Sequence, residues 1–234
     1  MTTLQERLGA VRQSIAQAAK GCGRNPQDIE LIVVTKNHPV ELAIDLVDLG
    51  CNQFGENRDQ EAAPKAALLA QARPEAQVDW HFVGQLQSNK VRSVLGYASS
   101  IHSLDRASLL QALAKETAKL AAAGDPATIE VFIELNLTDD PNRGGIEPKN
   151  LLAFAESVLE VPSLVLKGVM GVASLSGSPE ADFETIAGAS RQLQTVAPAA
   201  GFISAGMSAD YALAITYGAT HVRIGTAITG KRQY

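Results

Sequence analysis

A lysine stands directly after a stretch of sequence that predicts a buried strand. Residues Leu31–Thr35, LIVVT, are apolar or β-branched throughout, which is typical of a strand covered on both faces. A lysine at a strand end is most often a solvated cap. Burial, however, disfavours the ammonium form, and a neutral amine attacks aldehydes to form a Schiff base. We therefore treat Lys36 as a candidate Schiff-base lysine whose charge is disfavoured by burial.

Two glycine-containing loops have the composition of a phosphate site. Gly206, Met207 and Ser208 precede a predicted helix, so backbone N–H groups, a hydroxyl and the positive helix end would face an anion. Gly225 and Thr226 offer similar groups after the last predicted strand. Either loop alone is equally consistent with a tight strand-to-helix turn. As a pair they predict phosphate binding, because barrels often hold phosphate between their last two loops.

An amine that binds an aldehyde, close to loops that bind phosphate, points to pyridoxal 5′-phosphate (PLP). A PLP site also needs a partner for the pyridine nitrogen, and an aspartate or an arginine can serve. Arg223 lies inside the last predicted strand. Because arginine only donates hydrogen bonds, it would keep that nitrogen unprotonated and weaken the ring as an electron sink. The alternative is that Arg223 forms an ion pair across the mouth of the site with Glu56.

Strand-length apolar runs alternate along the chain with alanine- and leucine-rich stretches of helical length. The predicted strands are Leu31–Thr35, Asn52–Gly55, Asp79–Gly84, Ser100–Leu104, Ile129–Leu137, Val165–Ala173, Phe202–Ala205 and His221–Gly225. The predicted helices are Leu4–Ala19, Pro39–Leu49, Asp59–Ala72, Ser88–Leu95, Arg106–Ala123, Pro148–Leu159, Pro179–Val196 and Ser208–Tyr217. Several begin with proline in the first turn or a serine or aspartate cap.

This alternation predicts an α/β fold, a single-domain (β/α)8 TIM barrel over residues 1–234. An open doubly wound sheet uses the same alternation and is the alternative. The strand count favours the barrel. The sequence after the eighth strand is too short for a full outer helix, so we expect the extra N-terminal helix to fill that place.

The composition excludes several classes of partner. The chain has 234 residues, 46% of them hydrophobic, and a formal net charge of -5. It has no run of basic residues, so we expect neither a nucleic-acid nor a membrane-surface partner. Its N-terminus has no secretory signal, and no stretch is apolar enough to span a membrane. We expect a cytoplasmic protein in which Cys22 and Cys51 are reduced thiols.

Seven motifs, taken together in their order, give the sequence a specific resemblance. They are VVTK, FGEN, WHFVGQLQSNK, HSLDR, GVMGVAS, GMSADYALAI and VRIGTAITG. In this order the sequence resembles the pyridoxal phosphate homeostasis protein family, from about residue 5 to Tyr234. That family is similar in fold to the N-terminal barrel of alanine racemase. The resemblance therefore implies a PLP-binding barrel.

The resemblance also implies roles for residues near the cofactor. Lys36 matches the lysine that holds PLP as an internal aldimine, and Arg223 matches the arginine that faces the pyridine nitrogen. The remaining matches are Asn57 close to the cofactor, and Met207, Ser208, Gly225 and Thr226 around the phosphate. His81 belongs to a motif near the site, but a histidine inside a strand is more often a hydrogen-bonded core residue. We leave it out of the site.

The family resemblance implies a PLP-binding monomer in vitamin B6 and amino-acid homeostasis, without established turnover, and PLP-dependent apo-enzymes as recipients. The rival is a minimal racemase or lyase with Lys36 as base. Racemisation needs a second, opposed group, which alanine racemases take from a C-terminal domain that we do not expect here. A third interpretation is an interaction module, indicated only by the loop Thr138–Gly145. This loop and residues Ala205 and Thr229 depart from the family's usual pattern.

Overall fold

Eight parallel strands close into a barrel in chain order in the computed structural model. It describes residues 2–125, 128–138, 140, 143–174 and 177–230. The strands are β1 (Glu30–Val34), β2 (Gln53–Glu56), β3 (Asp79–Phe82), β4 (Ala98–Leu104), β5 (Ile129–Glu134), β6 (Leu164–Met170), β7 (Phe202–Ser204) and β8 (His221–Ile224). The first strand pairs with the last, at Ile32 and Arg223 among other positions. The (β/α)8 prediction is confirmed, and the doubly wound alternative is wrong because such a sheet stays open.

Helices cover the outside of the barrel. They are α1 (Leu4–Gly21), α2 (Val40–Asp48), α3 (Asp59–Ala72), α4 (Val91–Val94), α5 (Ala107–Ala122), α6 (Leu151–Leu159), α7 (Pro179–Leu193), α8 (Tyr211–Thr216) and α9 (Thr226–Thr229). Short 3₁₀ turns precede β1, α4 and α6. The apolar core lies between the helices and the outer face of the sheet.

The N-terminal helix α1 closes the ring of outer helices. Thr3 and Glu6 form a capping box at its start. Its buried face, Leu8, Val11, Ile15 and Ala19, packs in the core, and the helix contacts α8 and α9. Arg7 Nε donates to Ile228 O at 2.6 Å on one side, and Arg12 donates to Gly50 O at 3.0 Å on the other. The prediction that this helix replaces an outer helix is confirmed.

Several predicted elements differ from the structure at their ends, among them β6, which ends at Met170 instead of Ala173, and α7, which ends at Leu193 instead of Val196. The eighth helix begins at Tyr211 instead of Ser208, because Asp210 Oδ1 accepts the Met207 amide at 2.6 Å and holds the preceding residues in a turn. Strand β5 ends at Glu134, and Leu135 makes only an isolated bridge with Ile146. Of the loop Thr138–Gly145, residues 139, 141 and 142 lie outside the described residues.

The described part of the chain contains no helix with the length and apolar character of a membrane span. Cys22 and Cys51 are both free thiols, as predicted.

Candidate cofactor site at the carboxyl ends of the strands

A cavity of about 460 Å³ opens at the carboxyl ends of the strands. All seven residues predicted from the sequence line it: Lys36, Asn57, Met207, Ser208, Arg223, Gly225 and Thr226. Its volume lies within the usual range for small-molecule sites. The barrel topology explains the convergence, since each of these residues lies in the carboxyl half of a parallel strand or in the loop that follows one. The cavity is thus the place where these side chains can act together.

Lys36 occupies a tight turn at the rim of the cavity. His38 N donates to Thr35 O at 3.1 Å, so Lys36 and Asn37 are the central residues of the turn. Asn37 has φ of 62°, a conformation that asparagine tolerates better than most residues. The turn leaves Lys36 exposed. The prediction that Lys36 is buried is wrong, because the strand ends before Lys36 and the turn lifts it out of the sheet.

The buried ammonium at the end of β1 belongs to another lysine. Lys65, which is only 5% exposed, reaches inward from α3 and donates to Thr35 O at 2.9 Å. It also forms an ion pair with Glu56, whose Oε1 accepts from the Thr35 hydroxyl at 2.7 Å. Sequence reasoning missed this cluster. A signal was available, because Lys65 shares the buried face of α3 with Ala62 and Leu69.

Arg223 reaches the cavity from inside the barrel. It is 5% exposed, and its guanidinium donates to Ser204 Oγ at 2.5 Å and to Gly171 O at 3.1 Å. Glu56 is bonded to Lys65 instead, so the alternative of an Arg223–Glu56 ion pair is wrong. Burial lowers the pKa of Arg223 to about 10, while the charges of Glu134 and Asp210 act in the opposite direction. The guanidinium therefore remains charged at neutral pH.

The two glycine-containing loops meet at one side of the cavity. Ser208 Oγ lies 3.5 Å from both Thr226 Oγ1 and the Ala227 amide. Gly206 has φ of +91°, and a Cβ there would lie 2.8 Å from the Tyr211 Cα, so the turn requires glycine. The Met207 amide donates to Asp210 in this structure. The hydroxyls of Ser208 and Thr226 are therefore the groups best placed to bind an anion.

Asn57 lies beneath the opposite side of the cavity. Its Oδ1 is buried and makes no hydrogen bond within the described part of the chain. Gly84 permits this arrangement, because a Cβ at that position would lie 2.3 Å from Asn57 O. A buried polar oxygen without a partner is costly and often marks a ligand position. With a lysine, an arginine and two hydroxyls, the donor set fits an aldehyde-bearing phosphate such as PLP.

Glu134 is a cavity residue that sequence reasoning missed. It ends β5 and lines the same cavity as Lys36. Burial, reinforced by the nearby Asp105, raises the pKa of Glu134 to about 7, and the charge of Arg223 only partly offsets this shift. The signal was a glutamate at the carboxyl end of an apolar strand. Glu134 can both accept and donate a proton near neutral pH.

Comparison with known proteins identifies the family of this chain. The family profile described as "Alanine racemase, N-terminal domain" matches residues 7–233. The pyridoxal phosphate homeostasis protein of Mycobacterium leprae is 38% identical over 236 residues, which cover 97% of this chain and 92% of that relative. The chain belongs to the pyridoxal phosphate homeostasis protein family. The family member of Escherichia coli is 35% identical over 237 residues, covering 100% of this chain and 99% of that protein.

Solved structures agree with this assignment. PipY of Synechococcus elongatus, a structure with PLP bound, superposes with a TM-score of 0.83 at 30% identity. The match covers 97% of this chain and 100% of PipY. Alanine racemase of Corynebacterium glutamicum superposes with a TM-score of 0.67 at 14% identity, over 96% of this chain and 62% of the racemase. The racemase likeness shows the shared barrel fold. The pyridoxal phosphate homeostasis family is therefore built on the barrel that alanine racemases also use.

Proposed function

We propose that this chain binds PLP in the cavity at the carboxyl ends of its strands and acts in vitamin B6 and amino-acid homeostasis. The observation that carries the proposal is the convergence of an amine, a buried guanidinium and two hydroxyls around one cavity of about 460 Å³. PipY, the relative with bound PLP, supports it.

Each residue has a role that its chemistry suits. Lys36 would offer its amine to the cofactor's aldehyde, and Arg223 would donate toward the pyridine nitrogen. Ser208, Gly225 and Thr226 would bind the phosphate beside Met207, while Asn57 would bond to the ring substituents. The exposure of Lys36 supports exchange, because solvent and small amines would have direct access to a cofactor held there. A site with an exposed lysine suits a protein that stores and releases PLP better than an enzyme that keeps PLP bound through repeated reactions.

The visible absorption spectrum with added PLP tests this proposal. Wild-type protein should show a Schiff-base band, and borohydride should fix the cofactor on the peptide that contains Lys36. Lys36→Ala should lose the band, whereas Lys115→Ala, which removes an exposed lysine from α5, should keep it. Absence of the band in wild-type protein would overturn the proposal, and fixation on another lysine would overturn the role of Lys36.

A racemase or lyase remains the second candidate, because Glu134 lines the same cavity as Lys36. A carboxyl group with a pKa of about 7 could exchange a proton with a substrate. PLP-loaded protein incubated with L-amino acids in deuterated water tests this. Sustained deuterium incorporation or D-enantiomer formation, lost in Glu134→Gln, would favour the enzyme. We expect neither.

The proposed setting is the cytoplasm, with a monomer that supplies PLP to apo-enzymes. Sedimentation of the purified protein tests the monomer. An assay that follows the activation of an apo-enzyme by the PLP-loaded protein tests delivery. If transfer is direct, activation should be faster than the release of PLP from this protein to a reagent that traps free PLP.

A further inference from the structure

A chain of hydrogen bonds crosses the interior of the barrel beneath Arg223. Arg223 donates to Ser204 Oγ, and Ser204 Oγ lies 2.7 Å from His102 Nδ1. His102 Nε2 lies 2.9 Å from His81 Nδ1, and His81 Nε2 lies 2.6 Å from Gln53 Oε1. These residues come from β8, β7, β4, β3 and β2. Strands β4 and β7 are not neighbours, so the Ser204–His102 bond spans the barrel's interior.

The Gln53 end fixes the direction of every bond in this hydrogen-bond chain when both histidines are neutral. The Gln53 amide nitrogen donates to Asp79 Oδ2 at 3.0 Å, so the Gln53 carbonyl oxygen accepts from His81 Nε2. A neutral His81 then accepts on Nδ1 from the N–H of His102 Nε2. A neutral His102 likewise accepts on Nδ1 from the Ser204 hydroxyl. Ser204 Oγ also accepts from Arg223, because a hydroxyl has one proton and two lone pairs.

This hydrogen-bond chain requires both histidines to be neutral, and the surroundings of His81 and His102 disfavour their charged forms. His102 is fully buried and His81 is 4% exposed. Burial lowers the pKa of His81 to about 4 and holds the pKa of His102 well below its ordinary value, and the neighbouring charges of His81, Arg223 and His221 act on His102 in the same direction. His102 is also stacked on Phe132, with ring centroids 4.4 Å apart. The imidazoles are thus held in place and uncharged at neutral pH.

We propose that Ser204, His102 and His81 are positioning residues that hold the Arg223 guanidinium toward the cofactor's pyridine nitrogen. This inference rests on the proposed function, because it takes PLP as the ligand. The hydrogen bonds themselves are observed without any ligand. Two of the guanidinium's donors are occupied, by Ser204 Oγ and Gly171 O. These bonds fix the guanidinium plane, so the remaining N–H groups face the cavity in one orientation. The hydrogen-bond chain ends at the Gln53 side-chain amide, which cannot pass a proton on. The chain therefore orients Arg223 and does not relay protons.

The state of the histidines can be measured without any cofactor. Nitrogen NMR of cofactor-free, ¹⁵N-histidine-labelled protein distinguishes the protonated from the unprotonated ring nitrogen. At neutral pH both His81 and His102 should be neutral and protonated on Nε2. Gln53→Ala should release His81, and with it His102, from this single tautomer, because it removes the acceptor of the proton on His81 Nε2. Protonation of Nδ1, or a charged ring, in either histidine of the wild-type protein would overturn the direction that we assign.

The positioning role is tested in PLP-loaded protein with a matched pair of serine variants. Ser100 is buried like Ser204, lies on the same face of β4 as His102, and makes no hydrogen bond within the described residues. Ser204→Ala should shift the absorption maximum of bound PLP and speed its release by about tenfold or more, because a hydrogen bond to a charged group is lost. Ser100→Ala should change neither quantity, and Ser204→Thr, which keeps the hydroxyl, should restore both.

The outcomes separate this inference from the proposed function. If wild-type protein binds no PLP, the proposed function fails, and so does the positioning of Arg223 toward the cofactor. The histidine tautomers, which are measured without cofactor, would still test whether the hydrogen-bond chain exists. If PLP binds and Ser204→Ala behaves like Ser100→Ala, the positioning role is wrong and the proposed function stands.

Discussion

At the scale of single residues, the buried Lys65–Glu56 pair should contribute more to the stability of the fold than the exposed Lys36. Lys65→Met should lower the free energy of unfolding by about 3–5 kcal/mol, because Glu56 would be left as a buried charge without its cation. Its Oε2 already has no hydrogen-bond partner within the described residues. Urea denaturation measures the change.

A second lysine provides the control for this substitution. Lys149 lies 2.7 Å from Glu147 with side chains that are 77% and 58% exposed, so Lys149→Met should cost less than about 1 kcal/mol. Adding Glu56→Gln to Lys65→Met should recover part of the loss, because the uncompensated charge is removed. Equal losses for the two lysine variants would contradict the buried pair.

Glu134 gives a residue-scale prediction with a pH dependence. The folded pKa of about 7 lies above the ordinary value of 4.5, so the native state binds more protons than the unfolded state between these values. The protonated carboxyl's contribution to stability is complete below pH 4.5 and is lost as the pH rises through 7. Glu134→Gln should therefore match wild type near pH 4.5 and be more stable by about 3 kcal/mol at pH 8.

Urea denaturation at the two pH values measures the Glu134 effect, and Glu147→Gln, at a largely exposed carboxylate, is the control. A wild type more stable than Glu134→Gln at pH 8 would mean that attraction to Arg223 outweighs the burial of the carboxylate.

The positions of the site residues were predictable, whereas their burial was not. Lys36, Arg223 and Thr226 converge because parallel strands bring their carboxyl ends to one rim, and eight strands could be counted from the sequence. The exposure of Lys36 depends on the Thr35–His38 turn and on a lysine from α3, which are tertiary features. The chain from Arg223 to His81 links strands far apart in sequence, and no local pattern specifies such contacts.

At the scale of elements, the close approach of β2 and β3 depends on Gly84. Gly84→Ala should weaken PLP binding by about tenfold, because the new Cβ would displace the Asn57 backbone that it meets at 2.3 Å. An equilibrium titration with PLP measures the effect. Gly9→Ala is the control, since a Cβ there meets nothing within 4 Å. In the interior of α1 it should stabilise the fold by about 0.5–1 kcal/mol without changing PLP affinity.

Helix and strand ends were less predictable than their cores. Strands β1 and β8 and helix α3 lie within one residue of their predicted ends, since apolar patterns and helix start signals define them locally. The start of α8 differed by three residues. A serine there looked like a helix cap, but the Asp210 side chain caps the preceding turn instead. Competing local caps of similar strength are decided by the surrounding structure.

At the scale of the whole molecule, the polar interior of the barrel makes stability depend on pH. Three of the four histidines of the chain lie inside the barrel with pKa values below 6.5. Burial is the first cause in each case, and it lowers the pKa of His221 to about 3. An unfolded histidine binds a proton where the buried one does not. Stability must therefore rise with pH through the window between these folded values and 6.5.

The histidines and Glu134 act in opposite directions below pH 7, and their magnitudes decide the result. His81 alone loses on the order of 3 kcal/mol at pH 4, and Glu134 opposes this loss with about 3 kcal/mol. His102 and His221 add to the loss from His81, so the three histidines together outweigh Glu134. The free energy of unfolding should therefore increase steeply from pH 4 to 6.5 and level off near pH 7. Urea denaturation across this range measures it, and Glu134→Gln should steepen the rise. A flat profile for both proteins would mean that the interior histidines are charged in the folded state, which would also remove the hydrogen-bond chain beneath Arg223.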